Sequence, residues 1–453
     1  MRSPASTLWR DLLVVPMDGP ASAPLGDARR CDLRIAGDRL EALGALTPRA
    51  GERVCEGRGR LAVPGFVQGH VHCCQTLFRG LGDDLPLLAW LRTRIWPLEA
   101  AHDAASVRAS AALSFAELLR GGTTSVQAIE TVRHTEETFA LADGLGMTAI
   151  VGNCLMDLGG DGVPPGLPST RRDALAISEE LCDAWHGRGR LAYAVTPRFL
   201  LSCSDGLARD AAAFARGRGL RVHTHASEHA DELAAVFARF RAGYLETLHA
   251  QGLLGERTSL AHCVHVDGDE LERLVASGAA VLHCPSANQK LGSGIAPIAR
   301  FAARGVRIAL GADGAPCNNR LRALTELRAA ALLAALSAGP GVWRAEHALA
   351  AITCGAADAL GLDDVGRLVP GKRADLVILD LGDPLLGAAA ADDAATAISR
   401  LVWAADDDAI DTVLLGGREV LRGGELLEFD RARLLAEARA ALTRVLARAG
   451  LAR

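Results

Sequence analysis

The stretch Leu220-Arg221-Val222-His223-Thr224-His225 decides the fold, because it belongs to a pattern that occurs four times. A helical stretch over 206–216 ends near glycine, a short apolar strand follows, and polar side chains come at the end of the strand. The other three copies lie at 104–129, 268–283 and 295–311. Helices that alternate with apolar strands are typical of a parallel sheet built from βα units.

The length of the repeating region predicts a closed barrel. Residues 61–365 can hold the eight units of a (β/α)8 TIM barrel, which typically needs about 250 residues. A doubly wound open sheet is the alternative, but no Gly-x-Gly-x-x-Gly motif opens a helix. The flanking segments, 1–60 and 366–453, read as short strands and turns, with a closing helix over 431–448. We predict an α/β protein in which these two segments form a small β-sandwich, and we expect the alanine-rich stretch 387–396 to be a surface excursion.

Composition excludes several classes of protein. The chain has 453 residues, 49% of them hydrophobic and 23% charged, which excludes a disordered or collagen-like protein. A net charge of −5 without a lysine-rich run argues against a nucleic-acid partner. No apolar run reaches the ~18 residues of a membrane helix, so no membrane partner is expected. The 11 scattered cysteines lack a CxxC pair and no signal peptide is visible, which favours the cytoplasm.

Side chains that bind metals occur at the ends of four predicted strands. They are His70 and His72, His223 and His225, His262, and Asp313. Residues i and i+2 of a strand share one face, and in a parallel barrel the carboxyl ends of all strands meet on one side. Three histidines and an aspartate suit zinc or a similar divalent ion, with a position left for water.

The residues around this group suggest hydrolysis. A metal-bound water has a pKa of about 7 and supplies hydroxide at neutral pH. Glu228 follows His225 by three residues, where it can move a proton between that water and a leaving nitrogen, and Asp313 can accept a proton as well as bind the metal. We expect His223 to be a core histidine one layer deeper, His265 to lie in solvent or beside the site, and His283 to be equally suited to the pocket wall and to barrel packing.

Six motifs together resemble the amidohydrolase superfamily, in its branch of guanine deaminases, adenosine-type deaminases and triazine hydrolases. The motifs are Pro64-Gly65-Phe66-Val67 before His70-Val71-His72, His225-Ala226-Ser227-Glu228, Ala261-His262-Cys263, His283-Cys284-Pro285-Ser286-Ala287-Asn288, Gly311-Ala312-Asp313-Gly314 and Gly366-Arg367-Leu368. The resemblance implies metal ligands at His70, His72, His225 and Asp313. It implies catalytic roles for Glu228, His262 and Asp313.

Lysine usage bears on the number of metal ions. In the binuclear branch of this superfamily, a carboxylated lysine at the end of the fourth strand bridges two metals. This chain has only Lys290 and Lys372, and neither lies in the expected fourth strand at 191–201. We therefore expect one divalent ion, zinc in the first place and iron as the alternative.

Five residues are candidates for binding the substrate. Gln75, Arg198 and Phe199 resemble the residues that hold the base in guanine deaminases, and Trp90 and Glu99 resemble those that lie against the sugar in nucleoside deaminases. An amide both donates and accepts, a guanidinium binds ring oxygen or nitrogen, and a phenyl ring packs on a flat heterocycle.

These observations predict a metal-dependent aminohydrolase of purine metabolism. It would remove an exocyclic amine from a purine-like ring and release ammonia, with a guanine-type base as the first choice. One alternative is an adenosine-type nucleoside deaminase acting on 5'-deoxyadenosine, methylthioadenosine or S-adenosylhomocysteine. Others are a triazine chlorohydrolase or aminohydrolase, which the presence of Glu228 disfavours, and an inactive scaffold of the same fold. The resemblance also implies a homo-oligomer, a dimer or larger.

Overall fold

The computed structural model describes residues 6–160, 162–382 and 393–451. By its internal contacts the chain divides into two compact units. Unit 1 comprises Met1–Gln68, Ala116–Ser125 and Arg322–Phe429, and unit 2 comprises Gly69–Phe115, Val126–Leu321 and Asp430–Arg453. The predicted domain boundaries stay a prediction. Of the expected surface excursion at 387–396, residues 387–392 lie outside the described residues.

The strands belong to two sheets. In chain order they are β1 (Ser6–Val14), β2 (Arg29–Ala36), β3 (Arg39–Gly44), β4 (Arg53–Glu56), β5 (Arg60–Pro64), β6 (Phe66–Val71), β7 (Thr123–Ile129), β8 (Thr148–Gly152), β9 (Cys154–Leu155), β10 (Leu191–Pro197), β11 (Arg221–Ala226), β12 (Thr258–His262), β13 (Ala280–His283), β14 (Ile308–Leu310), β15 (Leu376–Asp380), β16 (Ile410–Leu415), β17 (Arg418–Arg422) and β18 (Glu425–Leu426).

The α-helices lie mostly between the barrel strands and near the carboxyl end of the chain. They are α1 (Leu87–Trp90), α2 (Trp96–Ala100), α3 (Ala104–Arg120), α4 (Glu136–Leu145), α5 (Arg171–Trp185), α6 (Asp205–Arg218), α7 (Ala230–Phe240), α8 (Tyr244–Ala250), α9 (Gly268–Ser277), α10 (Pro285–Lys290), α11 (Ile298–Ala303), α12 (Ala315–Asn318), α13 (Ala323–Ala338), α14 (Ala345–Ala350), α15 (Cys354–Leu360), α16 (Ala394–Trp403) and α17 (Arg431–Arg448). A 3-10 helix, Cys73–Phe78, follows β6. Within the described ranges, no helix is long and apolar enough to cross a membrane.

Strands from both ends of the chain form one mixed sheet of nine strands. Its order is β18-β17-β16-β15-β5-β1-β2-β3, with β4 paired to β1. The two ends meet where β15 runs antiparallel to β5, with Val377 opposite Val63. Alternate side chains such as Leu33, Ile35 and Leu376 pack into one apolar cluster on this sheet. The expected association of the two end segments is confirmed: where a small β-sandwich was predicted, they form one separate mixed sheet.

The second sheet is the barrel. Its eight parallel strands follow the order β14-β13-β12-β11-β10-β8-β7-β6, and β9 pairs with β10. A parallel bridge between Val71 and Asp313 links the first strand to the segment that follows the last, so the sheet nearly closes. The predicted TIM barrel is confirmed.

Helix caps explain why the repeating pattern predicted these elements well. The side chain of Ser204 accepts a hydrogen bond from Leu207 N at the start of α6, and Gly219 ends that helix with a left-handed φ of 65°. The side chain of Asp267 likewise caps the start of α9, and Gly278 ends that helix in a left-handed conformation. Such residues satisfy free backbone groups at the helix ends, and glycine takes the left-handed conformation without a Cβ penalty. Each strand therefore starts at a defined residue and delivers its polar end to the same side of the barrel.

Candidate metal centre and substrate pocket

Four metal-binding side chains converge at the carboxyl ends of barrel strands. His70 lies in β6, His72 directly follows it, His225 lies in β11 and Asp313 follows β14. Their ligand atoms all lie within 4.8 Å of one another, with the Nε2 atoms of His70 and His72 each 3.3 Å from Asp313 Oδ1. Burial lowers the pKa of His72 to about 3 and keeps this imidazole neutral, which is the form that binds metal. Three nitrogens and one carboxylate oxygen fit a divalent ion such as zinc.

The outer ring nitrogen of each histidine in this group has a partner. His72 Nδ1 lies 2.6 Å from the carbonyl oxygen of Ile129, and His225 Nδ1 lies 2.6 Å from that of Arg198. His70 Nδ1 lies 2.9 Å from Nε2 of His223. These partners fix the ring orientations and leave each Nε2 facing the site. His223, expected as a core histidine one layer below His225, is buried and contacts His70 directly.

Glu228 and His262 lie beside the four ligands. Glu228 Oε2 is 3.5 Å from His262 Nε2, which is 3.9 Å from Asp313 Oδ2. Burial, together with the negative charges of Asp313 and Glu232, raises the pKa of Glu228 well above its usual value and so favours the protonated form of this carboxyl group. His262 Nδ1 lies 2.8 Å from Asn288 Oδ1, which assigns the ring hydrogen to Nδ1 and leaves a lone pair on Nε2.

The backbone is strained where these side chains enter the site. Ser227, His262 and Asp313 have left-handed φ values of 52°, 76° and 62°. Each such residue costs on the order of 1–3 kcal/mol, and such conformations cluster at active sites. The strain turns the chain at the ends of β11, β12 and β14, and so aims Glu228, His262 and Asp313 at one another.

Two residues that sequence reasoning missed hold the turn that carries Glu228. Glu232 Oε2 accepts a hydrogen bond from the backbone N–H of Glu228 over 3.0 Å. The hydroxyl of Tyr244 lies 2.7 Å from Glu232 Oε1 and 3.1 Å from the carbonyl oxygen of His225. Glu232 and Tyr244 are both buried. The position of Glu232, four residues after Glu228, is the sequence signal that could have identified it. Tyr244 has no such signal, because only the fold brings it to the site.

A third missed residue, Glu130, supports the turn after His72. Its carboxylate accepts hydrogen bonds from Cys73 N over 2.9 Å and from the Thr138 hydroxyl over 3.1 Å. Burial raises the pKa of Glu130 to about 7. The 3-10 helix anchored in this way carries Gln75, so Glu130 helps to set where Gln75 lies.

A pocket opens next to the ligand group. Its lining residues are His72, Gln75, Leu87, Trp90, Leu91, Arg198, Phe199, His225, Glu228, His262 and Asp313. Four of the five expected substrate residues are among them, and Glu99 lies behind the wall. Outside this lining, His283 is buried in β13, and His265 lies half-buried with Nε2 2.8 Å from the carbonyl oxygen of Ser293.

Glu99 binds two of the lining residues. Arg198 Nη1 and Nη2 donate to the two carboxylate oxygens over 2.6 and 3.2 Å, and Gln75 Nε2 donates to Oε1 over 2.8 Å. All three side chains are buried. One hydrogen-bond network thus joins the residues expected to bind a base with the glutamate expected to bind a sugar. Within this network, Glu99 orients Gln75 and Arg198. Among the described residues, Gln75 Oε1 has no hydrogen-bond partner and remains an acceptor.

This barrel and this ligand group define a metal-dependent hydrolase, and comparison with known proteins identifies the family. The sequence pattern of the amidohydrolase family matches residues 61–420, and the chain belongs to that family. The predicted superfamily is therefore confirmed.

Relatives narrow the reaction to deamination. A 5'-deoxyadenosine deaminase from Methanothermobacter thermautotrophicus is 35% identical over 429 residues, covering 93% of this chain and 97% of that protein. A 5-methylthioadenosine/S-adenosylhomocysteine deaminase from Pelotomaculum thermopropionicum is 32% identical over 444 residues, covering 96% and 97%. The crystal structure of an adenosine deaminase from Xanthomonas campestris with bound zinc has a TM-score of 0.88 at 30% identity, covering 98% and 99%. The protein is a metal-dependent deaminase, a hydrolase of carbon–nitrogen bonds.

Proposed function

We propose that this protein deaminates an adenosine-type nucleoside and uses one zinc ion held by His70, His72, His225 and Asp313. The observation that carries the proposal is similarity over more than nine tenths of both chains to deaminases named for 5'-deoxyadenosine and 5-methylthioadenosine. The geometry supports it, because the four ligands, the buried acid Glu228 and the pocket form one continuous site. The guanine-type base, first in the sequence interpretation, becomes the second candidate.

The reaction adds water to the ring carbon that bears the amine and then expels ammonia. When bound, a divalent ion lowers the pKa of water to about 7 and so supplies the nucleophile at neutral pH. Glu228 donates its proton to the ring nitrogen next to that carbon. His262 Nε2 and Asp313 Oδ2, which lie 3.9 Å apart, accept the proton lost by the water. That proton passes to the amino group, and the carbon–nitrogen bond breaks as the carbonyl forms and ammonia leaves. The hydroxyl proton of the added water passes to Glu228 and restores it for the next turnover.

The fourth barrel strand supports the proposal of a single ion. This strand, β10, contains no lysine that could be carboxylated to bridge two metals. Arg198, the first residue after it, is bound to Glu99 and cannot take that role. We therefore keep one ion as part of the proposal, with iron as the alternative to zinc.

The charge of the pocket favours a neutral substrate. Arg198 is the cationic side chain among the lining residues, and the Glu99 carboxylate already pairs with it. The walls beside it are apolar, with Leu87, Trp90 and Leu91 in one buried cluster. We therefore expect 5'-deoxyadenosine and methylthioadenosine to be better substrates than S-adenosylhomocysteine, which carries a charged amino-acid group.

A guanine-type base remains the second candidate because Gln75, Arg198 and Phe199 all line the pocket. Arg198 offers donors to a ring acceptor. Gln75 Oε1, which has no hydrogen-bond partner in the described part of the chain, offers an acceptor to a ring N–H.

Ammonia release from a substrate panel tests both candidates. The zinc-loaded protein would be assayed with 5'-deoxyadenosine, methylthioadenosine, S-adenosylhomocysteine, adenosine, guanine and a chlorotriazine. We expect the neutral 5'-modified nucleosides to give the highest kcat/KM. Guanine as the best substrate would reverse the order of the two candidates, and release of chloride from the triazine would favour the remaining alternative. No ammonia from any compound would refute the proposed function.

A further inference from the structure

The histidine ligands differ in how their outer nitrogens are held. His72 and His225 are held by backbone carbonyl oxygens, which no substitution removes. His70 is held by the side chain of His223, which can be replaced. The two rings meet edge to face, with centroids 4.9 Å apart and planes at 83°. One support of the ligand group therefore depends on the identity of a single residue.

The direction of this hydrogen bond follows from the site. His70 Nε2 is the ring atom that faces the other three ligands, and its lone pair is used when it binds the proposed ion. The ring hydrogen of His70 then lies on Nδ1 and is donated to His223 Nε2, 2.9 Å away. His223 then carries its own hydrogen on Nδ1. This buried atom has no hydrogen-bond partner among the residues that the structure describes. An unpaired buried donor destabilises the folded state by about 1–3 kcal/mol. If position 223 served packing alone, an apolar side chain would therefore be more favourable there than histidine.

We propose that His223 is a positioning residue that sets the affinity of the protein for its divalent ion. By accepting the Nδ1 hydrogen of His70, it fixes the ring so that Nε2 points at the shared site. Because the acceptor is an imidazole and not a carboxylate, it orients the ligand without adding negative charge. Loss of such an outer partner typically weakens metal binding by about 10–100-fold. The proposal rests on the ligand group of the proposed function, and it concerns binding of the ion before any substrate is present.

Three variants separate this role from packing. His223→Phe fills the space without an acceptor, whereas the amide oxygen of His223→Gln reaches the position of Nε2. His283→Phe is the matched control, because His283 is also a buried barrel histidine but lies in β13 and does not line the pocket. Unfolding of the metal-free proteins measures the stability of each variant separately from its metal binding.

The experiment is a zinc titration of the metal-free full-length proteins in competition with a chromophoric chelator. We expect His223→Phe to bind zinc about 10–100-fold more weakly, and His223→Gln and His283→Phe to stay near the wild-type affinity. Wild-type affinity in His223→Phe would overturn the proposal, as would equal weakening in His223→Phe and His223→Gln. Should His223→Phe fail to fold, His223→Leu replaces it in the same comparison. Absence of zinc binding by the wild-type protein would instead refute the ligand group itself, and with it this proposal.

Discussion

Glu228 derives its chemistry from its surroundings. Its side chain is buried, and one carboxyl oxygen has no hydrogen-bond partner among the described residues. The raised pKa favours the protonated form of Glu228, and the nearby lone pair of His262 Nε2 gives the site an acceptor beside this donor. Glu232 and Tyr244 hold the backbone of the same turn. A donor and an acceptor fixed beside one pocket are what stepwise proton transfer requires.

The variant Glu228→Gln tests this role directly. An amide of the same size cannot give up a proton, so we expect kcat to fall by about 10²–10⁴-fold, while the four ligands and the metal content stay unchanged. Metal analysis and steady-state kinetics on the best substrate of the panel measure both quantities. A near-wild-type kcat in this variant would remove Glu228 from the mechanism.

The motif residues could be predicted from the sequence because their spacing determines how their side chains lie relative to one another. His70 and His72, two apart on a strand, must share a face, and the structure brings them together with His225 and Asp313. The pairing of Glu99 with Arg198 was not accessible, because 99 positions separate the two residues and only the folded chain joins them. Tyr244 was missed for the same reason.

At the scale of elements, the junction between β6 and the segment after β14 seats two of the ligands. Asp313 N donates to His70 O over 3.0 Å, and Val71 and Asp313 form a parallel bridge. Gly311 makes this approach possible: a Cβ there would lie 2.7 Å from both the N and the O of His70. Sequence reasoning found the strand ending at Gly311 from the helix, glycine and strand pattern. It did not show that the glycine is needed for barrel closure, because its close contact is with a distant strand.

Gly311→Ala should therefore damage both the junction and the ligand group. Because the clash is with backbone, we expect a loss of about 1–3 kcal/mol in the free energy of unfolding, and weaker zinc binding. Gly144→Ala is the matched control, because Gly144 lies in α4 with nothing within 4 Å of the added Cβ. We expect it to gain about 0.5–1 kcal/mol, since alanine favours the helix. Urea unfolding measures both values, and an unchanged Gly311→Ala would contradict this account of the junction.

At the scale of the whole molecule, the ligands tie distant parts of the sequence together. They come from β6, β11 and the segment after β14, which span more than 240 positions of the chain. The sequence predicted this convergence, because parallel strands deliver their ends to one side of a barrel. It also predicted the bounds of α17. It did not predict that this helix groups with unit 2, because an apolar face of alanine, leucine and valine fits many surfaces.

Removal of the metal should lower the thermal stability of the barrel. An ion present at 100 times its Kd stabilises the folded state by about 2.7 kcal/mol, and a chelator removes that contribution. Calorimetry with and without chelator measures the change in Tm, and added zinc should restore it. Asp313→Ala, which lacks one ligand, is the control and should respond less. An identical Tm for the wild-type protein in both conditions would contradict a bound ion.

The packing of α17 has a consequence for synthesis on the ribosome. Ala438, Ala441 and Val445 of this helix cover Phe78 and Leu98 in one apolar cluster of unit 2. Phe78 is translated about 360 residues before Ala438. At about 5–20 residues per second, that interval lasts roughly 20–70 s. During this time α17 is absent, so we expect the nascent chain to expose an apolar patch beside the turn that carries Gln75. We expect unit 2 to complete its folding only after its last helix has emerged.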